Sequence, residues 1–196
     1  MDVVKYSTMA VADLLDAVAS SDPVPGGGSV SALAGALGAS LLLMVAGMPR
    51  TRTGAPEETA DPSEAASRLR PIRDSLTELI DRDSDAYRAV VAAFKLPKAA
   101  DDEKSARRAA IQDATKLATE VPLETMRLCH RALQDVTVVE RCGNLNAMSD
   151  AGVARALLTA GLRGARLNVE INLPGLSDAG YVADVKSELA TLDGPA

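Results

Sequence analysis

The fold is decided by Val24-Pro25-Gly26-Gly27-Gly28-Ser29 and the uncharged run behind it, Val30 to Met48. Proline fixes its own φ, and three glycines leave the backbone free to reach φ > 0, so this stretch is a turn and not regular structure. Ser29 stands where it can cap the segment behind it. That segment is rich in Ala, Leu and Gly, with no charge until Arg50. A segment apolar on every side must be covered on every side. The stretch therefore predicts the central helix of an all-helical domain, with the glycine loop at its mouth. Gly28, Ala32, Ala36 and Ser40 recur every four residues, as do Ser31, Gly35, Ala39 and Leu43. Small side chains at that spacing let another helix backbone come close. A transmembrane span is the rival reading, since the run has about the length a bilayer requires. The mild hydrophobicity of Gly and Ala, and amphipathic segments elsewhere that need a buried partner, favour the core helix.

With 196 residues, 47% of them hydrophobic, the chain can bury a full-sized core. Aromatics are only 2%, so that core is Ala, Leu and Val, which suits close helix packing. The net charge of −6 and the lack of a basic patch argue against nucleic acid as a partner. Cys129 and Cys142 lack the spacing of a disulfide framework or a structural zinc site, and no metal is expected. No signal-peptide pattern opens the sequence, so a cytoplasmic location is expected.

Apolar periodicity predicts the other helices. Residues 7–20 read as a short helix capped by Ser7, with Met9, Val11, Leu14, Leu15 and Val18 on its apolar face. Residues 49–62, with Arg50, Arg52, Gly54, Pro56 and Asp61, read as a connection. A long helix is expected over 63–94, with a stripe of Leu69, Ile72, Leu76, Leu79, Ile80, Tyr87, Val90, Val91 and Phe94. Asp83 interrupts this stripe, while Asp81, Arg82 and Asp85 can point to water. A buried carboxylate is costly unless paired. Asp83 is either an edge residue held by an arginine or a functional acid. Lys95-Leu96-Pro97-Lys98 ends the helix, and the next spans about 101–139, with a kink at Pro122 and an inner face of Ile111, Ala114, Leu117, Val121, Met126, Leu128, Cys129 and Leu133. His130 is the sole histidine and receives no role; Glu124 reads as a solvated edge. Gly143-Asn144-Leu145-Asn146 breaks the pattern, and Ser149-Asp150 offers a cap for a helix over 149–170 with Val153, Leu157, Gly161, Gly164 and Ala165 on one face. Asn168 and Asn172 continue that face, where an amide must brace backbone or meet a ligand. Ser177 caps a last helix to about Leu192. There is no repeat and no strand alternation, so residues 1–196 form one domain: an up-and-down bundle of five to six helices around one buried helix. No nucleotide fingerprint is complete, because Gly26-Gly27-Gly28 lacks the Lys-Ser/Thr of a P-loop.

Pro25-Gly26-Gly27-Gly28-Ser29 running into residues 32–39 resembles the opening of the formiminotransferase-cyclodeaminase C-terminal domain family. Further stretches match in order: Asp83 to Tyr87 with Leu96-Pro97-Lys98, Val121-Pro122-Leu123, Gly143-Asn144-Leu145-Asn146 into Ser149 to Ala154, and Leu167-Asn168-Val169. Within the family the chain is most similar to free-standing bacterial methenyltetrahydrofolate cyclohydrolases. The resemblance implies an all-α homodimer with a folate site near the subunit interface, and one of two activities. Cyclohydrolases open 5,10-methenyltetrahydrofolate with water to give 10-formyltetrahydrofolate. Cyclodeaminases close 5-formiminotetrahydrofolate and release ammonia. An inactive folate-binding helical module is the third possibility.

The resemblance, taken with the chemistry, gives roles to residues. The methenyl carbon is already electrophilic, so the reaction calls for no metal or cofactor, only a group that takes a proton from water and one that gives a proton to N5. Asp83 is assigned as the base, Asp150 as second choice, and Lys98 as acid or as anchor for the glutamate tail. Asn144, Asn146 and Asn168 would bond the pterin edge, with Tyr87 and Ser29 as further contacts. Gly26, Gly27 and Gly28 would bring backbone N–H groups to the ligand. Structural readings stand beside these: Asn144 and Asn146 as turn residues, and the glycines as a simple bend. The region Pro49 to Gly54 has arginines where many relatives have lysines, and the chain ends soon after Leu192, earlier than longer relatives.

Overall fold

The uncharged run forms α2 (Gly27–Gly47), beginning within the glycine turn. Three long helices meet it: α3 (Pro62–Phe94), α4 (Asp101–Cys142) and α5 (Met148–Asn172). Short helices α1 (Val11–Ala19) and α6 (Ala179–Leu192) lie outside this ring, and Tyr6–Thr8 forms a 3-10 turn ahead of α1. The computed structural model describes residues 5–51 and 62–192. Arg52, Gly54, Pro56 and Asp61 of the expected connection lie outside the described residues. Among the described residues there is no strand, and the expected all-α bundle is what forms.

Sequential helices run antiparallel. Gly28 meets Asp83 and Gly35 meets Leu76, which sets α2 against α3. Arg68 bonds Asp135 and Arg82 pairs with Glu124, which sets α3 against α4. Arg155 pairs with Glu140, and Asn172 bonds the Ala118 carbonyl, which sets α4 against α5. Gly161 packs on the Ser31 carbonyl and Gly38 on Ala154 and Leu158, which closes the ring between α5 and α2. Leu42, Leu69, Leu76, Leu79, Leu123, Met126 and Leu158 fill the interior without exposure. Each contributes roughly 2–3 kcal/mol of burial, before the entropy of ordering the chain is set against it. α4 continues through Pro122 as one helix.

The small-residue seam in α2 does what its spacing predicts, but α2 is not covered on its fourth side. Val30 (39% exposed), Leu37 (50%) and Met44 (43%) form an open stripe at seven-residue spacing. Elsewhere the apolar stripes are wider than the surfaces that cover them. Val11, Leu15 and Val18 of α1 face outward, as do Phe94, Leu117 and Val153. Thr115 and Thr119 take the inner place expected of Leu117, each returning its hydroxyl to the carbonyl four residues back. α6 is tied to α4 by Arg127, which donates through Nε and Nη2 to Glu188 and through Nη1 to Glu120. His130 Nδ1 lies 3.2 Å from the Leu192 carbonyl at the end of that helix.

Helix starts depart from local expectation. Ser7 does not cap α1; its Oγ donates to Asp81, whose carboxylate also accepts the Tyr6 and Ser7 N–H groups. Asp81 is therefore no solvent-facing acid. Ser149 and Asp150 do not cap α5, which continues directly from a 3-10 turn at Leu145–Ala147. Asp178, not Ser177, accepts from the Tyr181 N–H at the start of α6, and Ser177 bonds Gln112 instead.

Two glycine substitutions separate packing from backbone entropy. A Cβ at Gly161 would lie 2.8 Å from the Ser31 carbonyl and 3.0 Å from the Gly35 nitrogen, so Gly161→Ala forces α2 and α5 apart. It is expected to cost about 1–3 kcal/mol in urea unfolding. A Cβ at Gly152 meets nothing within 4 Å, so Gly152→Ala is expected to stabilise by about 0.5–1 kcal/mol.

Candidate active site

The N-terminus of α2 leaves its first N–H groups without helical partners. Gly26 is the N-cap residue and has no side chain to offer, and Ser29, two residues inside the helix, does not act as the cap. The partner comes from α3. The Asp83 carboxylate accepts from Ser29 Oγ at 3.1 Å, and the Ser29 backbone N–H stands beside it and favours its charged form. Ser29 Oγ also lies 3.0 Å from Ser84 Oγ. Asp83 thus caps α2 from another helix, and among the described residues no arginine holds it. A Cβ on Gly28 would collide with this carboxylate, so glycine is required for the acid to sit against the helix end. Gly27 faces Asn168 in the same way, with the amide nitrogen 3.3 Å from where a Cβ would stand.

Around this contact lies a hollow of about 330 Å³. Gly26, Gly27 and Gly28 form its lip, Asp83 and Tyr87 one wall, Asn168 and Asn172 the other. Val24, Val90 and Ala118 add apolar surface. Asn168 Nδ2 donates to the Gly164 carbonyl, and Asn172 Nδ2 to the carbonyls of Ala118 and Asn168. Both amides brace backbone, and each Oδ1 is without a partner among the described residues. Burial pushes the Asp83 carboxyl above the ordinary carboxylate range, and the Ser29 bonds offset this only in part. The loop holding the lip is fixed from outside, since Tyr6 Oη donates to the Val24 carbonyl and accepts from Arg88.

The remaining sequence-derived residues stand elsewhere. Lys98 lines a separate cleft with Lys104, Arg107 and Arg108 at the start of α4. Asn144 Nδ2 donates to the Pro49 carbonyl and its Oδ1 accepts from the Asn146 N–H, which is turn-building geometry. Asn144 and Asn146 lie just past the C-terminal end of α2, about 30 Å of helix from Asp83, and Asp150, one turn before the Ala154 that meets Gly38, lies about 20 Å along it. Within one chain they do not join the hollow. Val24, Val90 and Asn172 do, although the sequence assigned them no site role; Asn172 carried a signal, being four residues after Asn168.

Comparison with known proteins sets this geometry in a family. The sequence model described as formiminotransferase-cyclodeaminase matches residues 10–191. The chain belongs to the formiminotransferase-cyclodeaminase family. It is 43% identical over 178 residues to a methenyltetrahydrofolate cyclohydrolase of Methylorubrum extorquens, covering 91% of this chain and 86% of that protein. It is 36% identical to the formimidoyltransferase-cyclodeaminase of Sus scrofa, matching 32% of that longer protein's length. Its fold is similar to the crystal structure of formiminotetrahydrofolate cyclodeaminase from Thermotoga maritima, with a TM-score of 0.81, 27% identity, and coverage of 95% and 89% of the two chains.

The cap and the raised pKa make a joint stability prediction. A carboxyl whose folded pKa is raised contributes most when protonated, and that contribution is lost as pH rises from its ordinary value of 3.8 through the raised value. Asp83→Asn keeps an acceptor for Ser29 without the buried charge. Its stability relative to wild type is expected to increase across that window and then level off. Asp83→Ala, with no acceptor, should be about 1 kcal/mol less stable than Asp83→Asn at neutral pH. Urea unfolding at several pH values measures both.

Proposed function

We propose that the protein is a methenyltetrahydrofolate cyclohydrolase acting without metal or cofactor. The observation that carries this reading is a half-buried carboxylate with a raised pKa, facing a hollow edged by backbone N–H groups and free amide oxygens, in a chain of this family. A bound amidinium would place its positive charge beside Asp83. As a water oxygen bonds to the methenyl carbon, Asp83 takes the water's proton and a neutral carbinolamine forms. When the carbon–N5 bond breaks, Asp83 returns that proton to N5, the hydroxyl proton leaves to solvent, and the carbonyl of the 10-formyl product forms. One carboxyl serves both steps, so Lys98 is not needed as the acid. A raised pKa suits a group that must accept and donate in turn. Asn168 and Asn172 would accept from the pterin N–H groups through their Oδ1 atoms.

The cyclodeaminase reading uses the same carboxyl differently: Asp83 would take the N10 proton as ring closure begins and give it to departing ammonia. The likeness to cyclodeaminase relatives keeps this as the second reading. Loss of methenyl-folate absorbance above the spontaneous rate, against ammonia release from the formimino compound, decides between them. On the first reading Asp83→Asn lowers kcat by about a hundredfold or more while the fold is retained. In the wild type, kcat/KM should fall as pH drops through the raised pKa of Asp83, because the base becomes protonated. Equal turnover by Asp83→Asn overturns the mechanism.

We further take the protein to be a cytoplasmic homodimer. Its support is the open stripe of Val30, Leu37 and Met44 on α2, beside Val153 and Leu167 on the adjacent α5. Apolar surface continuous over two helices is characteristic of an interface. α2 is long and apolar enough to cross a membrane by length and composition, yet Ala32, Ala39, Leu42 and Val45 on it are fully enclosed by the bundle. Leu37→Glu is expected to yield a helical monomer by light scattering.

A further inference from the structure

A second hollow, of about 320 Å³, adjoins the first and shares Pro23, Val24 and Tyr87 with it. Val91 and Ala92 make it apolar, and Arg88 and Lys95 stand at its border. Asp83, Tyr87 and Val91 succeed one another at four-residue steps, so they share a face of α3, and Lys95 follows in the turn that ends the helix. The two ionic groups are thus at opposite ends of one continuous surface, with an exposed tyrosine ring between them.

The two cations differ in availability. Arg88 pairs with Asp85 at 2.9 Å and donates to Tyr6 Oη at 2.9 Å. The Lys95 ammonium has no partner among the described residues. From Asp83 to the last residue of α3, Phe94, the helix rises about 16 Å, and Lys95 stands one residue beyond. An extended lysine spans about 6 Å, so a Lys95 side chain directed back along α3 toward the hollow it lines brings its ammonium to roughly 12 Å from the carboxylate. A reduced folate with its methenyl carbon at Asp83 carries an aryl ring next and carboxylates beyond it. Bond lengths place those carboxylates about 10–13 Å from the carbon. The cluster of Lys98, Lys104, Arg107 and Arg108 has more charge, but its cleft shares no wall with the Asp83 hollow.

We propose that the second hollow is the subsite for the p-aminobenzoyl-glutamate arm, with the aryl ring on Tyr87 and Val91 and the first glutamate's carboxylate on Lys95. This rests on the folate reading above. Lys95 is a specificity-determining residue and takes no part in proton transfer.

The test compares Lys95→Met with wild type on two substrates, 5,10-methenyltetrahydrofolate and its pteroate analogue lacking the glutamate. A second readout titrates binding of 5-formyltetrahydrofolate. Lys95→Met is expected to raise KM for the glutamate-bearing substrate about fivefold, the upper end for an exposed pair, with kcat unchanged. KM for the pteroate analogue should not move, and Lys95→Arg should restore the wild-type value. A similar rise for both substrates, or unchanged KM and affinity in Lys95→Met while wild type turns over, overturns the proposal alone. Wild-type protein that neither consumes the methenyl compound nor binds the 5-formyl probe overturns the folate reading and this proposal with it.

Discussion

The contact between the Asp83 carboxylate and the first turn of α2 governs the organisation of this protein. It joins two helices that would otherwise meet only through apolar side chains, and it fixes their relative height. It requires a residue without a Cβ at Gly28, a hydroxyl at Ser29 and a second hydroxyl, Ser84, behind it. α3 repeats the device two residues earlier. Asp81 receives the N–H groups of Tyr6 and Ser7, so adjacent stretches of one helix terminate two N-terminal elements of the chain. Arg88, two turns on from Asp81, holds Tyr6, whose hydroxyl holds the glycine loop. The polar segment of α3 is therefore the anchor for everything before α2.

The seam between α2 and α5 supplies the other half of the hollow. Gly161 against the Ser31 carbonyl and Gly164 against Ser31 Oγ bring the two backbones close. That closeness continues along α5 to Asn168, which reaches Gly27. Larger residues in the seam would lift the amide wall away from the carboxylate wall. Packing in the middle of the bundle thus sets the width of the site at its end.

Much of this was legible because sequence periodicity records which residues avoid water. All six helices form close to where periodicity places them, and Asp83 stood out because an acid on an apolar stripe is a conflict that structure must resolve. Its resolution was not legible. Local rules offered Ser7, Ser29, Ser149 and Ser177 as caps, since they weigh only chain neighbours, whereas Asp81 and Asp83 cap from across the bundle. Periodicity also cannot say how much of a stripe is covered, which is why Leu117 and Val153 lie in the open. Motif order likewise carries no height along a helix. The order of motifs along the chain groups Asn144, Asn146 and Asp150 with Asp83, yet the length of α2 separates them within a chain.

Two inward-facing acids, Asp135 and Asp83, show by contrast what is special about the site. Asp135 is buried, and Arg68 meets it with Nε at 3.0 Å and Nη2 at 2.6 Å, so its charge is answered within the protein. Asp83 receives only a hydroxyl and an N–H, and no cation lies beside it among the described residues. Dipolar donors at a helix end soften the cost of its charge but do not balance it. On the folate reading, the missing positive charge is brought by the ligand. A bound amidinium would favour the ionised carboxylate at the moment a base is required. Hydrolysis then converts that cation into a neutral formamide, so the attraction that drew substrate in is absent from the product. On that reading the incomplete electrostatics of Asp83 would favour both the attack and the release.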